Sequence, residues 1–454
     1  MALISIRAVL LDPSDDVAAV LDELPMEGTA SVVSSATGET LQLVKARSAI
    51  PFGHKIAIGY IPSGSKIKRY GYPIGVATQD IQEGEHVHAH NMRSLLSPAL
   101  AGKADERVVR TAEWVRHAVT TCLHAVGARP EAAAIMAEVL TEAHLRGVET
   151  HGLRRLRPYI NRIKSGGVDA KADIEPTRHG SLIKVDGRNG IGHFIAALTA
   201  DLVSEQARRH GIAIGLVRNS NHFGFAGYYA TRIAAARQIG IVTSNGQVCV
   251  APAGAKRALL SNNPLAIAAP TGREDAFVEL DLATSVTSRA NIVEAARSGR
   301  PLPTGWAQDS DGQGTRDPGA ALAGSLLSFG GDKGFALLFA LEAITGVLDG
   351  GAYADQVSSK EAAPNAPEGT AHTLIAIDLQ AALGADVFER RMDDLIGRLL
   401  ALPSNASAGT IRYPGQRRWR LRMGRLREGI PLAAADFKDV CDLAGDLGVT
   451  VGRD

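Results

Sequence analysis

The stretch IAIGLVRNSNHFGFAGYYATRIAAARQIG, residues 212–240, decides how the larger part of the chain is read. Its first eight residues alternate in the manner of a strand. Asn219, Ser220 and Asn221 then interrupt the apolar pattern, and from Phe223 the small and apolar residues follow a helical period. A strand that passes through a polar cluster into a helix is the repeating unit of α/β proteins. The same succession precedes and follows it: SLIKVDG leads to HFIAALTADLVSEQARRHG, and FVELDLATS leads to ANIVEAARSG. Upstream, VVRTAEWVRHAVTTCLHAVG and EAAAIMAEVLTEAHLRG predict two helices.

Residues 1–95 are patterned differently. Short strand-like runs such as ASVVSS, KIAIGYI and YPIGVATQDI are separated by the turn signals PSGS and QEGE, which predicts a small, mainly β domain. A linker is expected at 96–105, and the α/β part at 106–454.

Composition narrows the functional classes. In 454 residues, 49 basic side chains are balanced by 48 acidic ones, so no bulk field favours nucleic acid or a membrane surface. A small anionic substrate would need a local arginine. The three cysteines have no ligand spacing and read as reduced thiols, which with the absence of a signal-peptide pattern predicts a cytoplasmic protein. The longest apolar run, GFALLFALEAITGVL, contains Glu342 and is too short to cross a membrane; it is expected to be a buried helix.

No GxxxxGK[ST] is present, and no GxGxxG leads from a first strand into a helix. SFGGDKGFALL places Gly330, Gly331 and Gly334 around Lys333 ahead of an apolar run, which suits either a phosphate or an ordinary glycine-rich loop. In ETHGLRRLRPYINRI, Thr150 and His151 precede Arg155 and Tyr159 at about helical spacing. Pro158 sets the helix start near Arg154. Arginine can grip a carboxylate with two parallel hydrogen bonds, although four arginines in this segment equally describe a solvated face. His222, read as the first turn of a helix capped by Asn219, Ser220 or Asn221, would feel the positive end of the helix dipole, which disfavours its charged form. A histidine at a helix start can also be incidental.

Six segments, ETHGLRRLRPYINRIKSGG, VRNSNHFGFAGYYA, APAGAKRALLSNNPLAIAAP, ELDLATSVTSRANI, PTGWAQDSDGQGTRDP and GGDKG, stand in an order that resembles the malate/L-lactate/L-sulfolactate dehydrogenase family. That family also holds ureidoglycolate dehydrogenase, diketogulonate reductase and cyclic-imine reductases. The resemblance runs from about residue 106 to the C-terminus. It implies a non-Rossmann NAD(P)-binding α/β fold, a homodimer, NAD or NADP as cofactor and a small carboxylic acid as substrate.

Residue by residue, the resemblance implies His222 as the acid/base and His151 with Thr150 as a proton-relay pair. Arg155 would hold the substrate carboxylate with help from Tyr159, and Asn262 and Arg289 would contact substrate. Cofactor contacts are implied at His222, Phe223, Gly224, Phe225 and Ala226, at Leu280, Asp281, Leu282 and Ala283, at Lys333, and at Arg412, Pro414 and Gly415. Ala290 and Asn291 depart from the pattern; the imine reductases have an aspartate near there that Asn291 cannot replace. A 2-hydroxy acid/2-oxo acid couple is therefore expected, with cyclic-imine reduction as the alternative.

LDPSDDVAAVL and IPFGHKIAIGYIPSGSKIKRYGYPIGVATQDIQEGEHVHAHNM resemble the small SAF-type, β-clip-like domain of altronate/galactarate dehydratases and sulfolactate sulfo-lyases. A third reading follows from it: a sugar-acid lyase component or binding subunit led by this domain, with ligand binding by residues 1–95 and no redox turnover. His86, His88 and His90 alternate and would share one face of a strand, and with His54 they could make a metal or anion site. A polar strand end is the reading adopted, and no metal is expected.

Overall fold

A computed structural model describes residues 5–35, 37–69, 72–88, 90–94, 107–273, 276–359, 363–403 and 410–452. The linker expected at 96–105 lies outside these residues. The chain divides into two compact units, 1–105 with 403–410 and 106–402 with 411–454.

The first unit is built from short strands. Six form a sheet in the order Thr40–Lys45, Thr29–Ser34, Ser5–Leu10, Val17–Val20, Lys55–Ala57 and His86–Val87. Three more, Lys66–Arg69, Tyr72–Ala77 and Met92–Ser94, form a second sheet. Alternating apolar residues, among them Val32, Val44, Ile50 and Ile56, fill its main core. The β pattern read from the turns is present. The histidines are placed differently from expectation. The strand ends at Val87, and the chain turns back where Asn91 and Met92 both donate their N–H to the His88 carbonyl. His88 and His90 therefore do not continue a strand face.

The second unit is organised by a seven-stranded sheet. Its order is Thr177–His179, Leu182–Asp186, Ile212–Ser220, Thr370–Asp378, Gln238–Ser244, Leu265–Pro270 and Phe277–Leu282. Leu182–Asp186 and Ile212–Ser220 are parallel and are joined by the 19-residue helix Gly192–His210, the crossover that a parallel pair requires. Every other pair in this sheet is antiparallel. The α/β alternation is thus real, but the sheet is mixed: strands successive in the chain pair antiparallel on both sides, and Thr370–Asp378 enters the centre antiparallel from far along the chain.

The helix Ala226–Ala234 lies against the sheet so closely that a Cβ on Gly240 would meet the Ala230 carbonyl at 2.4 Å. Phe223, Phe225, Tyr229, Val242 and Leu374 belong to the core between this helix and the sheet. Each such side chain contributes roughly 1.5–3 kcal/mol by leaving water. A second core joins the helices Ala112–Ala125, Pro130–Leu145, Leu156–Lys164 and Ala434–Asp446.

The run expected to be a buried helix corrects that expectation. Asp332–Glu342 is helical and continues as a wider turn over Ala343–Val347, but Phe339 is 61% exposed and Val347 and Leu348 are also exposed. One side packs with Val250, Leu260 and Ile292 through Leu338, and the other faces outward. No helix among the described residues is long and apolar enough to cross a membrane.

Candidate active site

Two segments meet at a cleft of about 510 Å³, counting the solvent at its mouth. The first is the turn-rich run Glu149–Arg155 followed by the helix Leu156–Lys164, with Pro158 in its first turn as proline requires. It supplies Arg155, Tyr159 and Arg162 to the lining. The second is the loop after Ile212–Ser220, which supplies Asn221 and His222.

The polar cluster before His222 does not cap the helix. That helix begins at Ala226, with Phe225 at the cap position and no side-chain cap. Asn219 takes φ +53° and donates to both Asp186 carboxylate oxygens at 3.1 Å. Ser220 bonds His372 Nε2 at 2.8 Å. Asn221 is buried; its amide reaches Asn189 and Gly190, and its oxygen accepts from Arg162 at 3.0 Å. His222 therefore stands ahead of the first helical turn, and the dipole argument, which holds only within that turn, does not apply to it.

Other contacts fix the His222 ring. Its backbone N–H donates to Glu368 Oε2 at 2.9 Å. Its Nδ1 lies 2.7 Å from Tyr159 Oη and accepts from the Gly224 N–H at 3.3 Å. A backbone N–H can only donate, so Nδ1 is an acceptor here, and the neutral ring carries its proton on Nε2. Burial pushes the Tyr159 phenol well above its ordinary range, so the hydroxyl stays protonated and can donate to Nδ1. The His151 ring stacks on His222, with centroids 5.9 Å apart and planes 6° from parallel. Thr150 Oγ1 is 3.1 Å from His151 Nδ1. Arg155 Nε donates to the Thr150 carbonyl at 3.0 Å, which anchors the guanidinium by one edge.

Thr150, His151, Arg155, Tyr159 and His222 are thus brought together. Asn262 and Arg289 are not. The Asn262 carbonyl holds Thr284, Arg289 opens a separate helix, and neither lines this cleft.

The residues expected to meet a cofactor fall into three groups. Around His222, the side chains of Phe223, Phe225 and Ala226 are buried, and Phe223 stacks on Tyr229 and His372. Gly224 is buried as well, so of this run only His222 is partly exposed. The strand end Leu280–Ala283 and the turn Arg412–Gly415 adjoin each other, since Glu279 N donates to the Pro414 carbonyl at 3.1 Å and Gly415, at φ +90°, packs on Glu279. Lys333 is exposed in the first turn of its helix, which begins after Gly331 with no side-chain cap.

Sequence reading did not single out Glu368, Arg162 or His193. Glu368 is buried just ahead of the central strand Thr370–Asp378, and no motif marks it. Arg162 was one of many arginines. His193 lies edge-on to Tyr159 at 5.0 Å, and burial pushes it down to about 3, so it is a neutral part of the cleft wall.

Residues 6–95 match the altronate/galactarate dehydratase SAF domain. Residues 111–441 match the malate/L-lactate dehydrogenase family. The chain is 33% identical over 330 residues to an L-sulfolactate dehydrogenase of Methanothermobacter thermautotrophicus, covering 72% of this chain and 94% of that one. It is 34% identical over 322 residues to a Δ1-pyrroline-2-carboxylate/Δ1-piperideine-2-carboxylate reductase of Pseudomonas syringae pv. tomato, covering 70% and 91%. Among solved structures, the sulfolactate dehydrogenase of Methanocaldococcus jannaschii superposes with a TM-score of 0.70 at 30% identity, over 76% of this chain and 98% of that one. The chain belongs to the malate/L-lactate dehydrogenase family of NAD(P)-dependent oxidoreductases, with a SAF domain ahead of the dehydrogenase domain.

Proposed function

We propose that the protein interconverts a 2-hydroxy acid and its 2-oxo acid, of malate, lactate or sulfolactate type or derived from a sugar acid. The observation that carries this reading is the meeting of Arg155, Tyr159 and His222 at one cleft, with the Thr150–His151 pair beside them.

The residues fit a nicotinamide dinucleotide. The helix start at Gly331 offers uncapped N–H groups with Lys333 beside them, the arrangement that holds a phosphate. The adjoining strand end and Arg412–Gly415 turn offer backbone that a ligand can approach. When bound, the cofactor supplies or takes up the hydride.

The chain does the rest. Arg155, anchored through Nε, presents its remaining N–H groups to the substrate carboxylate. In reduction, His222 enters doubly protonated and gives its Nε2 proton to the developing alkoxide. Tyr159 Oη then accepts from Nδ1–H. When the ring is neutral with its proton on Nε2, the same hydroxyl donates instead. The Tyr159 hydroxyl serves either state because it both donates and accepts. In oxidation the tautomer with its proton on Nδ1, donated to Tyr159 Oη, takes the substrate hydroxyl's proton at its free Nε2.

Purified protein would be mixed with NADH or NADPH and a panel of oxaloacetate, pyruvate, sulfopyruvate, sugar-derived 2-oxo acids and piperideine-2-carboxylate, following nicotinamide absorbance. Oxidation with one oxo acid is expected, slowed by about 10²–10⁴ in His222→Ala. Preferred turnover of the cyclic imine would replace the reading with imine reduction, against which Asn291 stands. Absence of nicotinamide binding would remove both.

A homodimer and a cytoplasmic location belong to the same proposal. The exposed Phe339, Val347 and Leu348 support the first, and three cysteines that form no disulfide the second.

A further inference from the structure

We propose that His54, His86 and His88 of the N-terminal unit form a binding site for a divalent transition metal ion of the zinc, cobalt or nickel class, with His90 within reach as a fourth ligand. The three ring centroids make a nearly equilateral triangle of 5.0, 5.0 and 5.4 Å, and His90 lies 5.5 Å from His86. Imidazoles that share one tetrahedral ion, with metal–nitrogen bonds of 2.0–2.1 Å, have centroids about 5 Å apart. His54 Nδ1 and His86 Nε2 already stand 2.8 Å from each other. In such an ion's shell that separation is about 3.3 Å, so a small opening admits the ion between them.

The backbone holds this arrangement. Ile56 pairs with His86 across neighbouring strands, which brings His54 beside it. Asn91, 1% exposed, accepts from the His88 N–H and donates to the His86 carbonyl, both at 3.0 Å. This clamp ties the two histidines' backbones together, the kind of outer support on which ligand geometry depends.

The rings now lie face to face or tilted, and among the described residues no three ligand groups converge on one centre. Turning them about the Cβ–Cγ bond is a soft motion. A ligand set of imidazoles suits ions that bind imidazole strongly and not hard ions such as magnesium and calcium, which seek carboxylates. His88 and His90 are exposed, so the site is open to solvent.

The test titrates the chelator-stripped, full-length chain with cobalt(II), then zinc(II). One equivalent of cobalt should bind with the visible absorption of a tetrahedral complex, and zinc should displace it. His86→Ala and His88→Ala should each weaken binding at least tenfold, with His124→Ala as an unaffected control. His88 is exposed, so its replacement leaves the fold intact even if that of His86 does not. Failure to bind one equivalent, or binding that survives in both variants, overturns the proposal.

Discussion

Tyr159 Oη and His222 Nδ1 lie 2.7 Å apart, and they come from segments 63 residues apart in the chain. Because burial keeps the phenol protonated, this contact holds the ring in place and adds no charge of its own. Tyr159→Phe should therefore lower kcat roughly tenfold, the value of one buried hydrogen bond, with little change in KM. Steady-state kinetics across pH would check this. An unchanged kcat would show that the ring needs no such partner.

Arg155 tests the substrate grip. Arg155→Met should raise KM for the oxo acid about a hundredfold or more, as loss of a charge-assisted pair does. Arg155→Lys should recover little of it, because the lysine ammonium cannot both hold the Thr150 carbonyl and grip a carboxylate with two parallel bonds. Full recovery by lysine would mean that charge alone suffices.

Gly192 is a steric probe of the His222 loop. A Cβ there would meet the Asn221 carbonyl oxygen at 2.0 Å and that of His222 at 2.7 Å, both backbone atoms that cannot swing aside. Gly192→Ala should displace the loop and cut kcat/KM at least about tenfold, given the sensitivity of catalysis to misplacements of about 1 Å. Wild-type kinetics in this variant would show that the loop position is not critical.

Acid should destabilise the dehydrogenase unit before its carboxylates titrate. Burial lowers His193 and His372 to about 3 and His144 to about 4. Each is neutral when folded but takes a proton when unfolded, at about 6.5. The unfolded state thus binds more protons between these values. Stability contributed by these groups is complete above pH 6.5 or so and is lost as pH falls toward 4 and then 3. Three such histidines allow a slope of up to about 4 kcal/mol per pH unit. Urea melts at pH 7, 6 and 5 would measure it, and a flat profile would contradict it.

How much of this was readable beforehand differs from element to element. The strand, polar cluster and helix of residues 212–240 were legible because periodicity is local. The helix start was misplaced because Asn219, Ser220 and Asn221, good caps by type, spend their side chains on Asp186, His372 and Asn189 instead. Those partners are up to 152 residues away, and nothing local announces them. Glu368 escaped notice for the same reason. Spacing and resemblance together pointed to Arg155 and Tyr159, which line the cleft, and the resemblance also pointed to Asn262 and Arg289, which do not. The outward face of Asp332–Glu342 was missed because composition cannot say which side of an apolar helix has a neighbour.

The place of Thr370–Asp378 in the sheet bears on how the protein is made. This strand is inserted between Ile212–Ser220 and Gln238–Ser244, which are both synthesised more than a hundred residues before it. Until it leaves the ribosome, those two strands hold open edges toward each other, and Glu368, which fixes His222, is missing as well. The growing chain must wait with an unfinished sheet, a condition that favours chaperone engagement. Catalytic competence then arrives late and all at once, so a nascent chain stalled before this strand would be inert toward its substrate.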